Sequence, residues 1–140
     1  MDIFEGLVTY LNTVTALTTL VGDRIGWTFE HQSSARPFVV MTVITEPREF
    51  HMNGFAGVVQ GRYQLDAVGD TGLAAKNVAE ALRNGLNGYR GLMGSVNVRR
   101  CHLVSRFGPD EYGPRDGGAF GRFRVTSDYE LTFNESIPSF

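Results

Sequence analysis

GRFRVTSDYELTF, Gly121 to Phe133, is the stretch that decides how this chain folds. Phe123, Val125, Tyr129, Leu131 and Phe133 fall on one side of a two-residue period, interrupted only by Ser127. Arg122, Arg124, Thr126, Asp128, Glu130 and Thr132 fall on the other side. Alternation sustained this long specifies a half-buried antiparallel strand, about 40 Å long at the usual rise per residue. Its polar side is ordered, arginines first and acids after, as a surface built for pairing would be.

Working back from that strand, Phe107 to Ala119 reads as a long hairpin loop rich in glycine and proline. The strand before it is Val96 to Arg106. Val96, Val98 and Val104 share one side with Arg100 and His102, while Cys101 and Leu103 lie opposite, so its core face stays open. Asn87 to Gly94 reads as a glycine-rich turn after a helix, Leu73 to Leu86, capped by Asp70 or Thr71. A strand from Val58 to Val68 alternates through Val59, Tyr63, Leu65 and Ala67. Pro47 to Gly57 reads as a loop, and Phe38 to Glu46 as a strand apolar on both faces, hence central. Asp23 to Pro37 is a connector. The first helix spans Asp2 to Leu20, with one apolar stripe from Ile3 through Leu7, Leu11, Val14 and Leu17. Gly22 stops it.

The expected fold class is therefore α+β in the order α-β-β-α-β-β: a four-stranded, mainly antiparallel sheet with two helices packed on it and long hairpin loops. Residues 1–133 form a single domain and residues 134–140 a C-terminal tail. Two helices leave part of a sheet uncovered, which a partner could occupy.

A chain of 140 residues buries a core without staples, and its lone cysteine, Cys101, excludes an internal disulfide. That cysteine reads as a small buried hydrophobe, and a reducing interior as the place of folding. No apolar run approaches the roughly 20 residues that cross a bilayer, so no membrane partner is expected. The formal charge of −2 argues against a protein that lives by gripping phosphates. Lys76 is the single lysine among thirteen basic residues. Arginine makes planar two-point pairs and is favoured at protein interfaces. From Arg99 onward six arginines balance six acids, a composition suited to pairing between subunits.

Catalytic constellations are missing. His31, His51 and His102 stand on separate elements, without metal-ligand spacing or a cysteine cluster. Nucleophile elbow, P-loop and dinucleotide fingerprints are absent. Gly117 to Gly121 enters a strand where a phosphate cradle needs a helix N-terminus. Asp66 beside Arg62 fits an ion pair better than a catalytic acid, because no base or nucleophile accompanies it. No enzymatic activity and no cofactor are expected.

Five segments in order carry a resemblance: LVGDRI (Leu20 to Ile25), RPFVVM (Arg36 to Met41), GRYQLDAVGDT (Gly61 to Thr71), NGYRGLMG (Asn87 to Gly94) and RFRVTSDYELTF (Arg122 to Phe133). Together they resemble the tail completion, or tail terminator, proteins of long-tailed bacteriophages. That resemblance implies a small α+β protein that assembles as a six-fold ring on the head-proximal end of the tail tube. The ring ends tube polymerisation and joins tail to head. Its implied partners are further copies of itself, the major tail tube protein and a head-side connector protein. DNA passes through the lumen without specific binding, and the implied location is the virion neck.

The family carries no catalytic residues to transfer, so the candidate sites come from the loops and the charged strand. Phe50, Phe55 and Tyr112 are candidate apolar anchors for a neighbouring subunit or tube protein. Asp110, Glu111, Arg115 and Asp116 populate the loop Pro109 to Gly118, a second candidate contact. Arg122 and Arg124 are candidates to pair with Asp128 and Glu130 across a subunit boundary. Two other functions fit the same residues: another neck component (a stopper or connector adaptor), or a small ligand-binding α+β domain.

Overall fold

A computed structural model describes residues 2–27, 37–52, 54–112 and 122–137. The order is α1 (Ile3–Leu11), α2 (Thr15–Val21), β1 (Ile25–Trp27), β2 (Phe38–Thr45), β3 (Arg48–His51), β4 (Gly54–Gly69), α3 (Gly72–Leu86), β5 (Gly91–Met93), β6 (Val96–Tyr112) and β7 (Arg122–Asn134). The expected four-stranded sheet with two helices is wrong. Among the described residues seven strands form one mixed sheet, six of them in the path β1-β2-β4-β7-β6-β5, with β3 paired to β4 beside it. Only the β1–β2 pairing is parallel among the described strands.

Each correction has a local cause. The single first helix breaks into two because Asn12, Thr13 and Val14 are poor helix formers, and Thr13 bonds the Tyr10 carbonyl at 2.6 Å. The break lets Val14 approach α3, where a Cβ on Gly85 would lie 3.1 Å from the valine methyl. In the connector, Ile25–Trp27 is a three-residue edge strand, too short to announce itself by alternation. Of the expected loop from Pro47 to Gly57, Arg48–His51 and the start of β4 pair as a hairpin, with Phe50 opposite Phe55. The turn after α3 likewise contains β5.

The open question about the core face of β6 has a geometric answer. Val98 pairs with Phe133, but Arg100 with Thr132, so one extra residue enters β6. Such a bulge reverses the alternation. Val96 and Val98 face the core before it, and Cys101 and Leu103 after it. Further shifts follow between Leu103 and Ser105 and between Phe107 and Asp110.

The odd-numbered residues of β7 and β4 face the helices: Val125, Tyr129, Leu131 and Phe133 against Val59, Tyr63, Leu65 and Ala67. α3 closes over them with Ala75, Val78, Ala79, Leu82 and Leu86. Its cap is Thr71, whose hydroxyl accepts from the Ala74 amide at 3.0 Å. α1 touches both outer strands. The Phe4 ring lies 4.7 Å from Trp27 of β1, and a Cβ on Gly6 would sit 2.6 Å from the Met93 carbonyl oxygen of β5. Six flat strands would hold those edges roughly 24 Å apart, more than one helix can span. The sheet is therefore curled into a half-barrel around the helices. None of the described helices is long and apolar enough to cross a membrane.

Candidate functional site

Because the helices occupy one face, the other face of the sheet is lined by the even-numbered residues of β4 and β7 and their partners on β6. Cross-strand rows can be read from the register. Arg62, Glu130 and His102 form one row; Gln64, Asp128 and Ser105 the next; Asp66, Thr126 and Phe107 the third. Val68, Arg124 and Asp110 form a fourth. A residue two along the strand lies close enough for a long side chain to cross between rows. Arg62 does so and meets Asp128 at 2.9 Å, while Ser105 reaches the same oxygen at 3.5 Å.

This cluster is half-sheltered, and not every polar atom in it is satisfied. Arg62 Nε, Asp128 Oδ1 and His102 Nδ1 are shielded from solvent without a hydrogen-bond partner among the described residues. Buried polar atoms are rarely left unpaired. The middle of this face thus holds polar atoms that no described residue pairs.

Of the candidate residues, Arg122, Arg124, Asp128 and Glu130 all lie on β7 and share this face, half-buried. Asp128 is engaged by Arg62 of its own chain. Arg122 and Arg124 also have partners within the chain. Asp110 and Glu111 are exposed, and they belong to β6, not to a loop. Tyr112 closes that strand opposite Arg122. Phe50 and Phe55 are cross-strand neighbours in the β3–β4 hairpin. Arg115 and Asp116 lie outside the described residues.

Sequence reading missed several charged contacts because their partners are distant in the chain. Arg48 clasps Glu135 through Nε and Nη2, both at 3.1 Å. Tyr63, wholly buried, donates its hydroxyl to Glu46 at 2.8 Å. Burial first, and then that hydrogen bond, push the tyrosine pKa far above its ordinary value. A cleft of about 530 Å³ opens beside these groups, lined in part by Asp2, Glu46, Arg48 and Glu135. On the helix side, Arg106 bonds Glu80 of α3 and holds that carboxyl below its ordinary pKa, with a smaller contribution from Arg83. Cys101 is buried and free, its thiol pushed up to about 12 by burial. Among the described residues no group of three histidine, cysteine or acidic side chains converges as metal ligands would.

No family model matches the chain. No curated protein matches it in sequence either. Its fold has a solved counterpart: a chain in the virion of a native gene transfer agent particle superposes with a TM-score of 0.63, covering 90% of both chains at 14% identity. At that identity the likeness is one of fold. A second solved chain, 16% identical over 99% of both chains, reaches a TM-score of only 0.47 and carries no argument.

Proposed function

We propose that this protein is a structural component of a phage-like particle, and specifically a tail terminator that caps the head-proximal end of the tail tube and joins it to the head. The observation that carries this reading is the likeness of fold, over 90% of the chain, to a chain of a gene transfer agent virion. The ordered segments from Leu20 to Phe133 that resemble tail terminators support the finer role independently. So does the sheet itself, one face of which is clear of the described helices and carries arginines and acids in rows. A ring that packs subunit against subunit needs such a face, and a conduit for DNA works better without a strongly basic lining.

Its partners on this reading are copies of itself, the tube protein and a head-side connector. Gold labelling of the protein on particles from the producing culture, viewed by electron microscopy, tests the proposal. Label confined to the head–tail junction is expected. Intact particles without label, the epitope being shown accessible, would overturn it.

A further inference from the structure

Strand β6 is charged differently at its two ends. At its start, Arg99 and Arg100 are exposed, Arg99 being the extra residue of the first bulge. Beside them lies exposed Arg90, just before β5, and a recess of about 470 Å³ opens between Arg90, Gly91, Asn97, Val98 and Arg99. None of these three arginines has an ion pair within the chain among the described residues, whereas Arg48, Arg62, Arg83 and Arg106 all do. At the far end Asp110 and Glu111 are exposed and without an ion pair among the described residues. Across the strand pair they stand opposite Arg124 and Phe123, and Arg124 has a partner of its own within the chain.

Ten residues of strand separate the two groups, on the order of 30 Å. They cannot meet within one molecule. We infer that the protein associates head to tail with further copies of itself, the Arg90–Arg99–Arg100 corner of one copy taking the Asp110 and Glu111 carboxylates of the next. The arginine fork matches a carboxylate at two points, and the recess gives the pair partial shelter from water. Acceptor and donor patches lie on different surfaces, so the contact is heterologous; repeated, it closes a ring or runs on as a filament. The inference deepens the terminator reading and rests on it only for the closure into a ring.

The test is sedimentation velocity on the full chain and two charge reversals, Arg90→Glu with Arg99→Glu, and Asp110→Arg with Glu111→Arg. The unaltered protein should form species larger than a dimer at low salt. It should fall apart near 1 M salt, where the screening length is roughly 3 Å. Each double variant alone presents like charges at both ends and should lose association by about a hundredfold. An equimolar mixture of the two should recover it, because every contact in an alternating assembly is again of opposite sign. Recovery also shows that both variants are folded.

A protein that stays monomeric at low salt, variants that assemble as well as the parent, or a mixture that stays apart would each overturn the inference. Labelling of particles separates the two claims. Head-to-tail assembly of a protein absent from the particle would sink the neck reading and leave this interface standing. Label at the neck without assembly in solution would do the reverse.

Discussion

Tyr63 shows how much one residue imposes on its neighbours. Its ring folds back along β4 over Gly61, two residues away on the same face, so that its hydroxyl reaches Glu46. A Cβ at Gly61 would overlap that ring, and the ring is fully buried and has nowhere to go. Gly61→Ala should therefore destabilise the protein by about 1–3 kcal/mol through overpacking. A urea midpoint unchanged from the parent would show that the ring swings aside. Alternation had marked both residues as members of a strand, and Tyr63 as a core residue. The need for glycine was not legible, because it depends on a rotamer chosen to satisfy a carboxylate seventeen residues away.

Among elements, the tie between α3 and β6 depends on pH. Arg106 lies on β6 and bonds Glu80, and this contact lowers the glutamate pKa from its ordinary value of 4.5. A carboxyl depressed in the folded state stabilises it fully above the unfolded value, and the gain is lost as pH falls through the folded value. Denaturation of the parent and of Glu80→Gln should differ near neutrality and converge as pH drops below about 4. A difference constant with pH would mean the carboxylate charge contributes nothing. α3 itself was readable from its cap, its alanines and its apolar spacing, β4 and β7 from their alternation, and β2 from a run apolar on both faces. β1 and β5 were not, since three residues carry no period. The helix break at Asn12 was masked by an apolar stripe that continues in phase on either side.

For the whole molecule, one core cluster joins the described helices to the sheet, and α1 bridges its two outer strands. Such a molecule should unfold as a unit. Fluorescence of Trp27, packed between Phe4 and Tyr63 at the β1 edge, should follow the same urea transition as helical circular dichroism. Separate transitions would mean that the β1 corner opens on its own.

Period, caps and charge balance are local, so the chain's α+β character, strand β7, most of β4, the third helix and the buried cysteine could be read from residue order, whereas Phe107 to Tyr112 of β6 read as loop. So could the even-numbered charges of β7, which a strand without a bulge keeps on one face. What only the folded molecule decided was their company. The bulges in β6 set which residues stand opposite β7, and the curl sets which edges α1 can reach. The pairing of Arg62 with Asp128, and the lack of an ion pair at Arg90, Arg99 and Arg100 among the described residues, follow from these. Each depends on distances between residues far apart in the chain, and those distances exist only after the sheet has closed around its core.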